Sequence, residues 1–254
     1  MKIHYAARTH LGKQRTNNED NYFVLPEEHL YVVADGMGGH SSGEVASLLA
    51  VQALADFFID TQGGGFADWP LDLDVDLPYD DKRLATAIKR ANAKVHEVAA
   101  TADRYHGMGT TIVSLSLGAS GATLAHVGDS RAYLLRNGDI RQVTRDHSLL
   151  NETLKIRQLT PEEIKNFAHK NVIVRALGLM ENVDVELTPL DPQPGDVYLL
   201  CSDGLSDMLE DAELLSVVDS SRDDLERAAQ HLIEHANDNG GVDNITTILV
   251  GMTS

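Results

Sequence analysis

The stretch that decides the fold reads Val-Tyr-Leu-Leu-Cys-Ser-Asp-Gly at positions 197–204. Its first five residues are all apolar, which is typical of a buried β-strand. Asp203 stands where that strand ends, and Gly204 permits a tight turn directly after it. The stretch therefore predicts a buried strand that presents a carboxylate at the rim of a sheet.

The same pattern recurs elsewhere in the chain. Asp35 follows the apolar run 30–34, Asp129 follows the run 122–128, and Asp243 stands two residues before the last apolar run. If this last run pairs antiparallel with the strand quoted above, one strand enters the sheet where the other leaves it. Their carboxylates then lie at the same edge, and the sequence predicts a carboxylate cluster there.

A cluster of carboxylates needs compensating positive charge. Each carboxylate raises the pKa of its neighbours, so either protons or metal ions must neutralise the group. Carboxylate and backbone carbonyl oxygens are ligands that suit Mg²⁺ and Mn²⁺. A single aspartate at a strand end more often stabilises a turn, but four of them together favour a metal site.

The rest of the chain contains both helical and strand patterns. Apolar residues at helical spacing mark the segments 43–59, 82–100 and 223–237. Asp80 or Asp81 is placed to cap the second of these helices. Asn137-Gly138 predicts a β-hairpin, because both central residues of a type I′ turn need positive φ. Strands outnumber long helices and do not alternate with them, which favours an α+β layered sandwich.

We expect one domain over residues 1–254. Two segments fit neither pattern. Residues about 61–80 are rich in glycine and aspartate and are predicted to form a surface insertion. Residues about 147–170 are polar and predict an excursion from the sheet, in which Thr160 to Glu163 marks the start of a helix.

Composition excludes several classes of function. The 254 residues include 21 Lys and Arg against 39 Asp and Glu, a net charge of −18. This charge repels nucleic acid and anionic membrane surfaces. The first residues lack the apolar core of a signal peptide, so we expect a cytoplasmic protein.

The single cysteine, Cys201, does not fit a cysteine-based phosphatase. Such an enzyme needs an arginine six positions after its thiolate, but Asp207 stands there.

Eight short motifs follow one another along nearly the whole chain. They are Arg15-x-x-Asn18-Glu19-Asp20, Asp35-Gly36-Met37-Gly38-Gly39-His40, Met108-Gly109-Thr110-Thr111, His126-Val127-Gly128-Asp129-Ser130-Arg131, Thr144-Arg145-Asp146-His147-Ser148, Arg175-Ala176-Leu177-Gly178, Cys201-Ser202-Asp203-Gly204-Leu205 and Asp243-Asn244-Ile245-Thr246. In this order they resemble the metal-dependent protein phosphatases of the 2C type, in particular the compact bacterial members. The resemblance implies a four-layer α-β-β-α sandwich of two antiparallel sheets flanked by helices. The segment 147–170 then corresponds to the variable flap of the family, beside the site.

The resemblance also implies the ligands of two core Mn²⁺ or Mg²⁺ ions. Asp35 is expected to bridge both ions, and the carbonyl oxygen of Gly36 to bind one of them. Asp203 and Asp243 are expected to bind the other ion.

Three more acidic residues complete the implied metal site. Glu19 and Asp20 are expected to contribute directly or through bound water. Asp129 is expected to join Asp203 in holding a third, weaker ion.

The activity implied is that of a protein serine/threonine phosphatase, a hydrolase of phosphoserine and phosphothreonine. In this family a water or hydroxide that bridges the two ions attacks phosphorus in line with the leaving group. Arg15 is expected to bind the phosphate dianion with its planar guanidinium group. The variant Arg15→Ala should therefore weaken substrate binding and spare metal binding.

The proton donor for the leaving group is left open. Animal members carry a histidine directly after the Asp-Gly pair, but Met37 stands there and His40 follows three residues later. Either His40 or a metal-bound water could donate the proton, and a loop histidine that faces solvent is an equally good interpretation of His40.

A second function remains open from the sequence: a catalytically weak or dead domain of the same fold that binds phosphoproteins. The partners implied for the enzyme are phosphorylated proteins, including a serine/threonine kinase and its targets, with no nucleic acid and no membrane. We expect a monomer. The substrate and the pathway have no code in the sequence.

Overall fold

Two antiparallel β-sheets face each other in the structure, a computed structural model that describes residues 1–39, 42–65, 68–70, 73–74, 76–118, 121–167, 169 and 172–253. The first sheet has the strand order β1 (Lys2–His10), β11 (Ile245–Thr253), β10 (Val197–Cys201), β7 (Arg131–Arg136) and β8 (Asp139–Gln142). The second sheet has the order β2 (Asp20–Leu25), β3 (Leu30–Met37), β5 (Ile112–Gly118), β6 (Gly121–Val127) and β9 (Glu186–Leu190). The short strand β4 (Gly109–Thr110) pairs with the end of β3.

Helices cover the outer face of each sheet. The second sheet carries α1 (Ser42–Asp60) and α2 (Tyr79–Ala99), and the first sheet carries α5 (Asp203–Ser206), α6 (Asp211–Ser220) and α7 (Leu225–Asp238). Two further helices, α3 (Leu149–Ile156) and α4 (Pro161–Lys165), lie between β8 and β9 in the chain. The three helices expected from the sequence correspond to α1, α2 and α7.

Strand β3 shows how the layers arise from the sequence. Its side chains alternate between two faces, as in any β-strand. Leu30, Val32 and Ala34 pack against the helices, and Tyr31 and Val33 pack against the opposite sheet. A strand that is buried on both faces must be apolar throughout, which is what the sequence shows.

Three apolar cores separate four layers. One lies between α1, α2 and the second sheet, and another lies between the first sheet and α5 to α7. The central core joins the inner faces of the two sheets and includes Leu124, Tyr198, Leu200 and Ile248. The predicted α-β-β-α sandwich of two antiparallel sheets is confirmed.

The local turn predictions have mixed outcomes. Asn137 and Gly138 connect β7 to β8 with φ of 55° and 78°, as the hairpin motif predicts. The predicted cap of α2 is wrong, because the helix begins at Tyr79 after Pro78 and has no side-chain cap. The carboxylate of Asp81 instead points to the second sheet and accepts a hydrogen bond of 2.6 Å from the hydroxyl of Thr123.

Helix α1 is long and apolar enough to cross a membrane by length and composition alone. However, 56% of its most apolar window is buried inside the molecule. Ala46, Ala50 and Leu54 contribute to the core that α1 forms with α2 and β3. Because the core helix of a globular domain passes the same test, this helix is weak evidence for a membrane span.

The predicted flap, residues 147–170, contains α3 and α4. Thr160 and Glu163 form a capping box at the start of α4, which confirms the helix start expected there. Near its beginning the flap is fixed to the sheet, because His147 and Gly128 are joined by hydrogen bonds of 2.9 and 3.0 Å. The flap therefore starts next to Asp129, at the end of the sandwich where the aspartates lie.

Candidate active site

The two central strands of the first sheet bring distant aspartates together. Strands β10 and β11 are antiparallel, with Cys201 opposite Thr247. Asp203 follows the end of β10 and Asp243 precedes the start of β11, so both lie at one edge. This antiparallel arrangement is the one that the sequence predicted.

The second sheet contributes to the same edge. Asp20 and Asp35 are register partners at the ends of β2 and β3. The Oδ2 atom of Asp20 accepts hydrogen bonds of 2.7 Å from the hydroxyls of Ser202 and Thr246, which belong to the first sheet. Asp20 therefore ties the two sheets together. We call the group Asp20, Asp35, Asp129, Asp203 and Asp243 the carboxylate rim.

Burial and mutual repulsion disfavour the charged forms of the rim. Burial, followed by the charge of Asp20, raises the pKa of Asp35 well above its usual value. Burial, followed by the charge of Asp129, raises the pKa of Asp203 to about 8. The pKa of Asp129 rises to about 6, first through burial and then through Asp146. The rim thus needs either protons or cations at neutral pH.

The residues present fit divalent metal ions. In the described part of the chain, the Oδ1 atoms of Asp20 and Asp129 are buried without a hydrogen-bond partner. Buried carboxylate oxygens normally have a hydrogen-bond partner. Two such oxygens without one are therefore unusual, and a bound cation would satisfy both. Together with the raised pKa values, the unpaired oxygens indicate hard-ligand metal binding at this edge.

Backbone packing around the rim is too close for side chains at two glycines. A Cβ atom on Gly36 would lie 2.0 Å from the carbonyl oxygen of Gly43, at the start of α1. A Cβ atom on Gly204 would lie 1.9 Å from the carbonyl oxygen of Asn244. The glycines that follow Asp35 and Asp203 are therefore required for the approach of α1 and of β11 to the rim.

Glu19 and Arg15 lie on the loop that precedes β2. The pKa of Glu19 is raised, first by burial, whereas the charge of Arg15 and a hydrogen bond from the Gly43 amide act in the opposite direction. Nη2 of Arg15 donates a hydrogen bond of 2.6 Å to Oδ2 of Asp243, and half of the arginine side chain is exposed. The arginine expected to bind phosphate therefore contacts the rim and faces solvent.

The structure brings together every proposed site residue that it describes. These are Arg15, Glu19, Asp20, Asp35, Gly36, Asp129, Asp203 and Asp243. His40 lies outside the described residues, so its catalytic role stays a prediction. The roles of the eight described residues as metal or phosphate ligands are proposals that rest on their convergence at this edge.

Sequence reasoning missed the polar residues that hold the rim in place. Ser202 and Thr246 bind Asp20 although 182 residues separate Ser202 from Asp20 in the chain. Asn244 binds the loop that carries Arg15 and Glu19. All three lie in the motifs quoted above, and their polarity in buried positions was the signal that could have identified them.

A cavity opens between the rim and the flap. Its volume is about 380 Å³, and Asp129 and Asp203 are among the residues that line it. Ser148 and Asn151, at the start of α3, also line it. The cavity is large enough for part of a peptide substrate and lies directly beside the predicted metal site.

A second group of possible metal ligands consists of His126, His147 and Glu186, whose ligand atoms lie within 4.8 Å of one another. Nδ1 of His147 accepts a hydrogen bond from the Gly128 amide, so a neutral ring carries its proton on Nε2, which lies 3.2 Å from Glu186. The two imidazole rings are stacked, with an angle of 11° between their planes. Lone pairs in parallel planes do not converge on one ion, and this group is better described as a hydrogen-bonded structural cluster.

Comparison with known proteins identifies the family of the chain. The family model described as protein phosphatase 2C matches residues 8–249. The serine/threonine phosphatase stp of Listeria innocua is 38% identical, over 98% of this chain and 95% of the relative. The crystal structure of the Mycobacterium tuberculosis serine/threonine phosphatase PstP/Ppp has a TM-score of 0.84 and 35% identity, with 99% of both chains covered.

A further crystal structure bears on the metals. The catalytic domain of the serine/threonine protein phosphatase PstP, in complex with two manganese ions, has a TM-score of 0.80 and 34% identity, with 99% of both chains covered. The chain belongs to the protein phosphatase 2C family, the family of these bacterial serine/threonine phosphatases.

Proposed function

We propose that this chain hydrolyses phosphoserine and phosphothreonine in proteins with the help of two Mn²⁺ or Mg²⁺ ions held at the carboxylate rim. One observation carries the proposal: aspartates from both sheets meet in a partly buried cluster whose charge no nearby protein cation fully compensates. A cluster of this kind is unfavourable in a purely structural role. The family membership gives the reaction class.

The rim supplies ligands from both sheets. Asp35 and the carbonyl oxygen of Gly36 come from the second sheet, and Asp203 and Asp243 come from the first. Asp20 is held by hydrogen bonds on one oxygen, which leaves its other oxygen for an ion or for bound water. Two such ions, when bound, lower the pKa of water and stabilise negative charge on the phosphate.

A third, weaker ion is also part of the proposal. Asp129 has an unpaired buried oxygen, and it lies close enough to Asp203 that its charge raises the pKa of that carboxyl. Both residues line the cavity next to the flap. An ion there would lie on the side where a peptide substrate enters.

Arg15 binds the phosphate in this proposal. Its guanidinium group is half-exposed and already contacts a carboxylate oxygen, that of Asp243. Guanidinium binds phosphate with two parallel hydrogen bonds, which orients the phosphate as well as attracting it. Because Asp243 is also a proposed metal ligand, a bound ion and Arg15 would share this carboxylate. His40 remains a proposed donor of the proton to the leaving alkoxide.

The cellular context is proposed more coarsely. A phosphoprotein phosphatase acts on proteins that a kinase has phosphorylated, so we propose a serine/threonine kinase and its targets as functional partners. We also propose that the chain acts as a monomer in the cytoplasm. Size-exclusion chromatography with light scattering and fractionation of cells tests these two points.

An assay with p-nitrophenyl phosphate and a phosphothreonine peptide tests the function. We expect turnover of both substrates with Mn²⁺, loss of turnover with a chelator, and recovery when Mn²⁺ is added back. Asp203→Asn should lower kcat by at least about 100-fold, because it removes a charged ligand from the proposed ions. The exposed Asp223→Asn is the matched control and should retain full activity.

The opposite result would identify the other candidate function. If the phosphopeptide binds but no divalent metal supports turnover, the chain is a phosphoprotein-binding domain that retains the fold. If Asp203→Asn and Asp223→Asn have equal activity, the rim is not the catalytic centre.

A further inference from the structure

Asn244 lies at the junction of three segments of the active site. It is buried, with 5% of its surface exposed, and directly follows Asp243 at the start of β11. Its carbonyl oxygen packs against Gly204, the residue after Asp203. Its side chain points the other way, toward the loop of residues 11–19 that carries Arg15.

The amide group of Asn244 makes three hydrogen bonds to this loop. Nδ2 donates to the carbonyl oxygens of Leu11 and Asn17, each at 2.9 Å. Oδ1 accepts a hydrogen bond of 2.8 Å from the backbone amide of Glu19. One side chain therefore binds the loop at its beginning and at its end, and both donor hydrogens of the amide are used.

Arg15 lies between these attachment points. Its side chain is half-exposed, so packing of the side chain does little to fix its position, and the backbone must do so. Two further bonds, from the amides of Lys13 and Gln14 to the carbonyl oxygen of Gly241, hold the middle of the loop. Their acceptor, Gly241, precedes Asp243 in the chain, so the middle of the loop is fixed on the same segment, 241–244, as its two ends.

The same residue also orients a proposed metal ligand. The backbone amide of Asn244 donates a hydrogen bond of 2.8 Å to Oδ1 of Asp243. The other oxygen of Asp243 accepts the hydrogen bond from Arg15. Asn244 thus fixes the position of the loop that carries the Arg15 guanidinium group and the orientation of the Asp243 carboxylate that this group contacts.

We propose that Asn244 is a positioning residue of the phosphatase: its amide group holds the 11–19 loop so that Arg15 meets the phosphate at a fixed place relative to Asp243. This inference rests on the proposed function, because it assigns the loop to phosphate binding. A small displacement of an orienting group lowers catalysis even when the group itself is present. The effect of losing Asn244 should therefore pass through Arg15.

Asn92 provides a matched control. It is also buried, with 1% of its surface exposed, and its amide makes the same set of bonds. Oδ1 accepts from the Gly178 amide, and Nδ2 donates to the carbonyl oxygens of Met180 and Glu181. Asn92→Ala therefore removes the same three interactions from α2, away from the 11–19 loop.

A double-mutant cycle tests the inference in the Mn²⁺-loaded enzyme with p-nitrophenyl phosphate. We expect Asn244→Ala to raise KM about tenfold and to change kcat by less than about twofold, because a lost hydrogen bond to a positioned group costs on the order of one factor of ten. In the Arg15→Ala background the same substitution should raise KM by less than about twofold. Asn92→Ala should leave KM unchanged, although we expect it to lower Tm by about as much as Asn244→Ala does.

Hydrogen exchange of the metal-free protein gives a second measurement that does not depend on activity. Peptides that cover residues 11–19 should exchange at least about tenfold faster in Asn244→Ala than in the wild type. In Asn92→Ala their exchange rate should equal that of the wild type. If Asn244→Ala does not fold, Asn244→Ser serves instead, because a hydroxyl cannot reach both carbonyl oxygens.

Two results would overturn the inference. One is an equal rise of KM in the wild-type and Arg15→Ala backgrounds, and the other is unchanged exchange of residues 11–19. Absence of turnover in the wild-type enzyme with Mn²⁺ is a different outcome, since it overturns the proposed function itself.

Discussion

At the scale of the residue, Asp203 shows how burial acts on a carboxyl that has carboxylates for neighbours. Its pKa of about 8 in the folded, metal-free protein compares with 3.8 for an ordinary aspartate. Between these pH values the folded protein keeps a proton that the unfolded chain has released. Stability therefore falls as pH rises from about 4 to about 8, because the unfolded state binds fewer protons than the folded state.

Asp203→Asn removes this titration and should make the metal-free protein relatively more stable at high pH. We expect the free energy of unfolding of the variant minus that of the wild type to grow by a few kcal/mol between pH 5 and pH 8. Urea unfolding in the presence of a chelator measures it. The exposed Asp223→Asn should give a difference that does not depend on pH. A flat difference for Asp203→Asn would show that its carboxyl is ionised without metal.

Four aspartates of the rim, Asp35, Asp129, Asp203 and Asp243, could be predicted one by one, because each stands beside an apolar run that defines a strand. Asp20 was expected only from the family resemblance. The residues that hold the rim could not be predicted. Thr246 binds Asp20 from a position 226 residues away in the chain, so no local pattern connects the two. The contact depends on how the two sheets pack, which the order of apolar and polar residues does not specify.

At the scale of the element, central strands were predicted more reliably than edge strands. Strand β10 has its predicted bounds because it is apolar and buried throughout. Strands β1 and β9 were missed. They lie at the edges of their sheets, most of their residues are at least partly exposed, and Pro189 interrupts the pattern of β9. An edge strand is defined by the neighbour with which it pairs rather than by its own composition.

The β7–β8 hairpin gives a prediction at this scale. Gly138 has a φ of 78°, a conformation that costs an L-residue about 1–2 kcal/mol. Gly138→Ala should lower the free energy of unfolding by about this amount, which urea unfolding measures. Asn137→Gly in the same turn should change it much less, because glycine adopts the φ of 55° freely. The turn follows β7 whereas Asp129 precedes it, so kcat and KM should not change in either variant.

At the scale of the whole molecule, the proposed active site is a place where polar groups join the two sheets. Between the inner faces of the sheets lies an apolar core. At the rim, Asp20 of the second sheet binds residues of the first sheet, and the proposed metal ligands come from both. An ion bound there cross-links the sandwich and reduces the repulsion within a chain of net charge −18.

Metal binding should therefore stabilise the whole fold rather than one loop. An ion at 100 times its dissociation constant adds about 2.7 kcal/mol to the free energy of unfolding, which corresponds to a rise in Tm of about 5–10 °C for a chain of this size. Calorimetry with Mn²⁺, relative to the chelator-treated protein, should show this rise in the wild type and in Asp223→Asn. Asp203→Asn should lose most of it. A solution of KCl at equal ionic strength separates specific binding from screening, and an equal rise with KCl would mean that the rim holds no ion that spans the two sheets.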